Sequence, residues 1–354
     1  MTGGSSTVIP GEDRSWMRRA LARARRGWGR TSPNPMVGAV VVKNGVEIGA
    51  GYHRKAGTPH AEVNALNAAG KEARGATLYV TLEPCCTQGR TPPCTDAIIE
   101  AGVSRVVIGC LDTNPRHRGA ALPILRSAGM DVVSGVLEDA CRQLNEAFFW
   151  WIRTGRPFVA LKLAMTLDGK IATPAGQSKW ITGANARSRV QRLRQWADAI
   201  MVGGETVRLD DPQLTVRQPA GWPCQPHPFV WTSRELPAEA RVRRSAGGPV
   251  TSAKPVSQHE WLDFLRNLGS RDMTALLLEG GGELAAAALK ARIVNRVDLF
   301  VAPKILGGRD SRPVVGGAPP NSLSEAVALL KMTTRRVGND LLISGYCENV
   351  YRTD

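Results

Sequence analysis

Three stretches decide the fold of the first half of the chain: Thr58-Pro59-His60-Ala61-Glu62, Thr81-Leu82-Glu83-Pro84-Cys85 and Pro92-Pro93-Cys94. Thr58 before Pro59 predicts a helix over residues 58–69, with a threonine N-cap and a proline at its first position. The second stretch ends a strand predicted over residues 76–82, and the third opens a helix that runs to residue 100. A histidine, an acid and two cysteines therefore lie at the ends of neighbouring elements.

His60, Cys85 and Cys94 are predicted to bind zinc. A zinc deaminase needs three protein ligands, because the fourth position must hold the water that the metal activates. It also needs a carboxylate that is not a ligand and that carries protons, and Glu62 is the candidate. Taken singly, a histidine at a helix start or a buried cysteine is more often structural. The order of the four residues on these elements favours catalysis.

A closed structural zinc site is the main alternative interpretation. Cys86 is next to Cys85, and Cys110 ends a strand predicted over residues 105–110. A fourth thiolate from either residue would leave no place for water. Because adjacent cysteines cannot easily chelate one ion from a strand end, the open site is favoured.

Strands and helices alternate along the chain, which predicts α/β folds with a largely parallel later sheet in the first half. Asn44-Gly45 predicts a hairpin turn between strands over residues 37–42 and 46–48. The other predicted strands cover residues 130–134, 158–164, 199–202, 229–231, 275–278 and 297–301, and the other helices cover 15–26, 121–128, 138–152 and 186–196.

Two domains are expected, because a single hydrophobic core seldom serves a chain of 354 residues. The alternating pattern restarts after Thr154-Gly155-Arg156-Pro157, which is interpreted as a linker. The first domain is predicted over residues 14–153 and the second over residues 157–354. Residues 1–13, rich in Gly, Ser and Thr, are predicted to be disordered.

The composition is that of an ordinary water-soluble protein, with 43% hydrophobic and 22% charged residues. No apolar run is long enough to span a bilayer, and no basic-then-apolar leader is present, so no membrane partner is expected. The seven cysteines are not spaced as a disulfide framework. A reducing, cytoplasmic location is therefore predicted.

The net charge of +15 has two interpretations. It could attract phosphorylated metabolites, a phosphate-bearing cofactor or nucleic acid. It equally fits an arginine-rich chain with solvated basic faces. Aromatic residues do not alternate with the basic ones, as they do in proteins that bind single strands. Five of the arginines cluster in the first predicted helix: Arg18, Arg19, Arg23, Arg25 and Arg26.

Eight residues, 86–93, separate Cys85 from Cys94, whereas nucleoside and nucleic-acid deaminases typically have two residues between their cysteines. With residues 31–38 (TSPNPMVG), 58–62 and 81–85, this loop resembles the bacterial riboflavin-biosynthesis deaminase/reductase family (RibD). The resemblance implies a cytidine-deaminase-like, three-layer α/β/α domain. It also implies hydrolytic deamination of a small molecule, a diaminopyrimidinone ribosylamino 5′-phosphate, and no nucleic-acid partner.

The second half resembles the reductase domain of the same family. The resemblance implies a dihydrofolate-reductase-like α/β fold, a homodimer through this domain, and reduction of the ribosyl group to ribityl with NADPH. The similar segments are residues 161–170 (LKLAMTLDGK), 178–182 (SKWIT), 204–217 (GETVRLDDPQLTVR), 278–282 (LEGGG) and 303–308 (PKILGG).

The resemblance also implies which residues contact the ligands. Those along NADPH are Ala164, Trp180, Thr206, Asp210, Ser233, Gly281, Gly282, Glu283, Leu284, Ala285, Ala286 and Ala287. Those at the reductase substrate are Lys162, Ser178, Arg194, Leu214, Arg217 and Glu279, with the arginines clamping its phosphate. The candidate substrate contacts in the deaminase are Asn34, His53 and Arg90.

The glycines at 280–282 can also be interpreted without the resemblance. They lie between a predicted strand and a predicted helix, where backbone amides and a helix N-terminus can hold a pyrophosphate. With Ala285 they match the dinucleotide fingerprint, although a lone match is weak. Because Asp298 begins the next strand rather than ending it, a Rossmann domain is not predicted. A tight turn would explain the same glycines, and ordinary core packing would explain Trp180.

Two stretches depart from the family pattern. The family usually has Cys-Ser-His where this chain has Cys85-Cys86-Thr87, so a histidine of the substrate-facing loop is missing. The loop at Asp112-Thr113-Asn114-Pro115 has only Gly119 of a usual glycine pair. Three rival functions remain open: a nucleic-acid deaminase, a nucleic-acid-binding module with structural zinc, and a chain in which only the reductase is active.

Overall fold

The structure is a computed structural model that describes residues 11–88, 92–114 and 117–348. Its helices are α1 (Gly11–Ala24), α2 (Ala61–Ala69), α3 (Cys94–Ala101), α4 (Ala121–Ser127), α5 (Glu138–Leu144), α6 (Glu146–Thr154), α7 (Ala184–Trp196), α8 (Gly204–Asp210), α9 (Gln258–Ser270) and α10 (Gly282–Lys290). Its strands are β1 (Gly38–Lys43), β2 (Val46–Tyr52), β3 (Thr77–Leu82), β4 (Arg105–Cys110), β5 (Asp131–Ser134), β6 (Phe158–Thr166), β7 (Lys170–Ala172), β8 (Ala199–Gly203), β9 (His227–Trp231), β10 (Thr251–Ala253), β11 (Ala275–Glu279), β12 (Arg296–Ala302), β13 (Arg312–Pro313), β14 (Leu330–Val337) and β15 (Asp340–Tyr346).

The chain divides into two units, Met1–Arg153 and Thr154–Asp354. The first unit contains a five-stranded sheet in the order β2-β1-β3-β4-β5. The predicted hairpin is confirmed, with Asn44 and Gly45 at the positive φ angles, 51° and 75°, that a tight turn requires. The predicted parallel later sheet is also confirmed, since β3, β4 and β5 are parallel.

Helices cover both faces of this sheet, and two glycines allow their close approach. A Cβ on Gly38 would collide with the carbonyl oxygen of Ala20 in α1, and a Cβ on Gly51 would collide with that of Ala61 in α2. Gly51 pairs with Ala39, the residue after Gly38, so the two glycines face opposite sides of the sheet. The result is the expected three-layer α/β/α arrangement.

Three predicted boundaries in this unit were wrong. Helix α1 begins at Gly11, so residues 11–13 are not disordered, and Asp13 is buried. Helix α2 begins after His60, because Thr58 bonds to the carbonyl of Lys55 rather than capping a helix. The helix predicted over 138–152 is two helices that break at Asn145, whose side-chain amide bonds to both backbone groups of Met36.

The second unit contains an eight-stranded sheet in the order β10-β9-β8-β11-β6-β12-β15-β14. The strands from β10 to β12 in this order are parallel, β15 pairs antiparallel with β12, and β14 pairs antiparallel with β15. The carboxyl ends of the parallel strands therefore meet at one edge, which is where open α/β sheets bind ligands. In the described residues of both units, no helix is long and apolar enough to cross a membrane.

Candidate functional site

His60, Cys85 and Cys94 converge in the first unit as the sequence predicts. His60 is the N-cap of α2, Cys85 follows β3, and Cys94 begins α3. Their ligand atoms all lie within 4.8 Å of one another, with Nδ1 of His60 3.1 Å from Sγ of Cys94 and 3.5 Å from Sγ of Cys85. One imidazole and two thiols at this spacing fit a zinc ion.

The two thiols of Cys85 and Cys94 shift each other's pKa in opposite directions. A hydrogen bond from the Cys94 thiol lowers the pKa of Cys85 to about 4, and burial opposes this only in part. The same hydrogen bond, together with burial, raises the pKa of Cys94. The backbone N–H of Cys94 also donates to Sγ of Cys85, at 3.3 Å. The site thus already favours a thiolate, the form that binds metal.

Glu62 lies in the first turn of α2, two residues after the histidine ligand. The side chain is buried, and within the described part of the chain its Oε2 has no hydrogen-bond partner. Burial raises the pKa of Glu62 to about 7, although the nearby His60 opposes the shift. A buried carboxyl group with a free oxygen beside a metal-ligand cluster is suited to carrying protons.

The described residues place no fourth thiolate at this cluster. Sγ of Cys86 is 3.8 Å from Nδ1 of His117, and the buried Cys110 donates to the carbonyl of Thr81 at 3.5 Å. Over residues 11–88, 92–114 and 117–348, the cluster that could hold a metal contains only His60, Cys85 and Cys94. This geometry favours the open, three-ligand interpretation over the closed site.

Two of the three predicted deaminase contacts are close to the ligands. His53 is buried, and its ring meets the His60 ring edge-on at 5.2 Å between centroids. Asn34 reaches His53 through its side-chain nitrogen, 3.1 Å from Nε2. Arg90 lies outside the described residues. Thr87 is exposed, but His117 supplies an imidazole beside the neighbouring Cys86.

Glu83 is a site residue that sequence reasoning missed. Its buried carboxylate accepts three backbone hydrogen bonds of 2.9–3.1 Å, from Asp112, Gly119 and Ala121. The loop after β4, which carries His117, is thereby fastened to the strand end that carries Cys85. The sequence signal that could have identified Glu83 is an acid between a buried strand and a cysteine ligand, because a buried carboxylate must find hydrogen-bond donors.

The second unit has a cavity of about 1170 Å³ at the carboxyl ends of its parallel strands. The predicted contacts Ala285, Ala286 and Ala287 do not line it, and Ala285 is buried in the core instead. The predicted contacts that do line it are Lys162, Ala164, Ser178, Trp180, Arg194, Thr206, Asp210, Leu214, Arg217, Ser233, Glu279, Gly281, Gly282, Glu283 and Leu284.

Glycines open the cavity at the end of β11. Gly280 and Gly281 have φ angles of 68° and 85°, which residues with a Cβ rarely adopt. A Cβ on Gly282 would lie 2.9 Å from the carbonyl oxygen of Pro313. Bare backbone therefore leads into the N-terminus of α10, an arrangement that fits the diphosphate of a dinucleotide.

Three charged groups meet in the interior end of this cavity. Arg194 forms a forked pair with Glu279, at 2.7 and 2.8 Å, and also donates to the carbonyl of Thr215. Although burial opposes it, Arg194 keeps the pKa of Glu279 below its usual value. Lys162 in β6 lies opposite Glu279 in the neighbouring strand β11, and burial lowers the pKa of this lysine. Arg194 thus orients Glu279 and uses its donors in doing so. Arg217 has more of its donors available for a phosphate than Arg194 has.

Trp180 is not a core residue, since 64% of its surface is exposed and it lines the cavity. The Arg187 guanidinium lies 4.5 Å from its ring centroid. Nearby, the Ser178 hydroxyl donates to Asp210 at 2.8 Å. These contacts exclude core packing as the reason for Trp180.

The two sites define the class of this protein: an enzyme with a zinc-binding deaminase unit followed by a unit that accepts a nucleotide-sized ligand. Residues 10–110 match the family model for the cytidine and deoxycytidylate deaminase zinc-binding region, and residues 157–343 match the model for the RibD C-terminal domain. The chain belongs to the RibD family, the bifunctional deaminase/reductases of riboflavin biosynthesis.

Relatives match along nearly the whole chain. The riboflavin biosynthesis protein RibD of Actinobacillus pleuropneumoniae is 43% identical over 94% of both chains, and that of Escherichia coli K12 is 39% identical over 94% of this chain and 98% of the relative. The solved RibD of Acinetobacter baumannii has a TM-score of 0.85 at 37% identity, covering 95% of this chain and 98% of that one. A Thermotoga maritima deaminase/reductase has a TM-score of 0.82 at 37% identity with the same coverage.

Proposed function

We propose that the first unit hydrolytically deaminates a diaminopyrimidinone ribosylamino 5′-phosphate. The observation that carries the proposal is the buried Oε2 of Glu62, which has no partner among the described residues and lies in the helix turn after His60. Zinc held by His60, Cys85 and Cys94 would supply hydroxide near neutral pH. The Thermotoga maritima relative is named as a deaminase and reductase of such phosphoribosylaminopyrimidines, which supports this substrate.

Glu62 moves the protons in this proposal. Its carboxylate would take one proton from the attacking water and pass it to the ring nitrogen. A second proton, from the hydroxyl group of the tetrahedral adduct, would then pass through Glu62 to the amine, which leaves as ammonia while the carbonyl forms. Burial raises the pKa of Glu62, which favours a group that can both accept and donate a proton. His53 and Asn34, held beside His60, would position the pyrimidine.

The second unit, in this proposal, reduces the ribosyl group of the deaminated product to ribityl. NADPH would supply the hydride. The glycines at 280–282 would face its diphosphate, and Trp180 and Thr206 would lie along it. Arg217 would bind the substrate phosphate, while the Arg194–Glu279 pair and Lys162 would orient the sugar at the buried end of the cavity.

A coupled assay tests both steps together with the metal. Purified protein is expected to contain about one zinc per chain, to release ammonia from the pyrimidine phosphate without NADPH, and to oxidise NADPH only after that release. Ammonia release from a tRNA but not from the pyrimidine phosphate would overturn the proposal. Reduction of the deaminated substrate without any deamination would identify a chain with only the reductase active.

We also propose a homodimer that forms through the second unit. Strand β14 is an edge of the eight-stranded sheet, all its residues except Val337 are exposed, and Met332 is 61% exposed. A long exposed edge strand with apolar side chains is a surface that proteins usually cover. Sedimentation is expected to show a dimer that Met332→Asp weakens. Val46→Asp, at an equally exposed position of the first unit, should leave the dimer intact, and a monomeric wild type would refute the idea.

A further inference from the structure

Helix α7 has polar residues on two opposite faces, and only one of them belongs to the large cavity. Its residues Arg187, Gln191 and Arg194 line that cavity. A second set follows the i, i+4, i+7, i+11 spacing of a single helix face and does not line the cavity. These residues are Asn185, Arg189, Arg192 and Trp196.

The second face of α7 packs on the last strands of the eight-stranded sheet. At the start of the helix, a Cβ on Gly338, in the turn between β14 and β15, would lie 2.6 Å from the side-chain nitrogen of Asn185. At the end of the helix, the guanidinium of Arg296 in β12 lies 5.2 Å from the ring centroid of Trp196. Arg189 and Arg192 lie between these two contacts and therefore above the same strands.

The strands add further charged residues on the side of the sheet that α7 covers. Asp298 in β12 is opposite Ser344 in β15, which is opposite Thr333 in β14. Side chains two residues apart share a face of a strand. Arg296 therefore lies on the same side as Asp298, and Arg335 lies on the same side as Thr333. The space between α7 and these strands is called the arginine groove, after Arg189, Arg192, Arg296 and Arg335.

The positive charge of the arginine groove exceeds the negative charge that faces it. The acid that faces Arg189 is Asp298, which already accepts from Arg296 at 2.9 and 3.0 Å and from the Ser344 hydroxyl at 2.6 Å. Burial lowers the pKa of Arg189, and Arg335 lowers it further. Within the described residues, neither Arg189 nor Arg335 forms an ion pair with a carboxylate. Like charges held together on ordered elements repel, and an anion between them would remove that cost.

We propose that the arginine groove binds a small anion with two or more phosphate groups. The planar fork of arginine donors matches phosphate oxygens. Arg189 and Arg192 are three residues apart on α7, with about 5–6 Å between their Cβ atoms, and Arg335 faces them from β14. Four arginines and one acid leave three net positive charges, whereas a single phosphate group carries at most about two negative ones. This site is distinct from the large cavity, because α7 lies between the two.

Calorimetric titration of the full-length protein with inorganic pyrophosphate tests the groove. The double substitution Arg189→Gln, Arg335→Gln is expected to weaken pyrophosphate binding at least about tenfold, since one lost charge-assisted hydrogen bond costs about that factor. The matched control is Arg244→Gln, Arg271→Gln, which removes the same charge from two exposed arginines of the same unit that do not line the cavity. This control should change binding by less than about twofold. Binding should also persist in Arg217→Gln, which lacks the arginine proposed for the substrate phosphate.

The outcomes separate the groove from the cavity and from a protein contact. If the double variant binds pyrophosphate as tightly as the wild type, or if Arg217→Gln alone abolishes binding, the groove is not the site and the inference is wrong. Neither result affects the proposed function, which the coupled assay tests. A wild type that binds no pyrophosphate also overturns the inference, and altered sedimentation of the double variant would then assign the groove to acidic side chains of a second copy.

A second variant keeps the test valid if the double variant does not fold. Arg335→Gln alone changes an exposed residue of β14 and is expected to weaken pyrophosphate binding in the same direction. Circular dichroism checks that each variant is folded. Unchanged pyrophosphate binding by a folded Arg335→Gln protein would contradict the role of this arginine in the groove.

Discussion

Glu62 is the residue whose environment is hardest to explain by folding alone. A buried carboxyl oxygen without a partner costs free energy, of order 1–3 kcal/mol, and Oε2 of Glu62 has no partner among the described residues. Burial raises the pKa of this carboxyl group to about 7. Such a group is retained at active sites, where a proton must be held and released.

Glu62→Gln keeps the shape of the side chain and removes its ability to carry a proton. We expect zinc content to stay at the wild-type value, because Glu62 is not a ligand, and deamination to fall by about 10²–10⁴-fold. Metal analysis and ammonia release check this, with reduction of the deaminated substrate as an internal control. Loss of zinc would make Glu62 a structural residue, and unchanged deamination would point to another proton carrier.

Glu83 is predicted to stabilise the first unit through its three backbone hydrogen bonds. Glu83→Gln turns one acceptor into a donor that faces backbone N–H groups, so we expect a loss of about 1–3 kcal/mol of stability. Calorimetric melting of the full chain measures it. Glu72→Gln, at an exposed acid of the same unit, should change stability by less than about 0.5 kcal/mol. Equal effects of the two changes would contradict the role of Glu83.

At the scale of elements, a buried ion pair joins the first helix to the sheet. Asp13 in α1 accepts two hydrogen bonds from Arg105 in β4, at 2.8 and 2.9 Å, and one from the Tyr79 hydroxyl in β3 at 2.8 Å. Burial opposes ionisation of Asp13, but these donors outweigh it and lower its pKa. Residues 11–13 are therefore part of the folded unit.

This pKa shift predicts how acid affects the first unit. The folded pKa of Asp13 is below the unfolded value of about 3.9, so its contribution is full above about pH 4 and is lost as the pH falls through the folded pKa. Asp13→Asn should destabilise the unit at neutral pH, and the difference from wild type should shrink below about pH 4. Urea unfolding at a series of pH values checks this. Asp131→Asn removes an exposed partner of the same arginine and should give a smaller difference at every pH.

Elements with a strong local signal could be predicted, and elements made by tertiary contacts could not. The hairpin at Asn44-Gly45 and the buried strands β4, β6, β8 and β11 follow from turn chemistry and apolar runs. The break at Asn145 depends on a bond to Met36, more than a hundred residues away. Strand β14 has no buried residue, so no buried apolar face marks it in the sequence.

The functional sites show the same division between features with a local sequence signal and features made by tertiary contacts. His60, Glu62, Cys85 and Cys94 could be predicted because their order and spacing reflect the coordination of a metal. In the second unit the resemblance supplied the predicted ligand contacts, and the structure adds that Arg194 is committed to Glu279. Arg234 and Lys254, which also line the cavity, lie twenty residues apart in sequence, and the parallel pairing of β9 with β10 places both at the same edge of the sheet.

At the scale of the whole molecule, each site is built from one unit. The metal ligands and Glu62 belong to Met1–Arg153, and the residues that line the cavity belong to Thr154–Asp354. Each unit also has a hydrophobic core built from its own described residues. No side chain among the described residues is shared by the two reactions, so a defect at one site should leave the other site intact.

A mixture of two singly defective proteins tests this independence. Glu62→Gln should lack deamination and keep reduction. Lys162→Gln should keep deamination and lose most reduction, because the half-buried lysine lies opposite Glu279 on the neighbouring strand and lines the cavity. Each activity is measured first for each protein alone. The mixture should then convert the pyrimidine phosphate to the ribityl product after a lag, because the deaminated intermediate must diffuse from one protein to the other. If the mixture makes deaminated intermediate but no ribityl product, while Glu62→Gln still reduces added intermediate, transfer between the sites requires both of them on one chain.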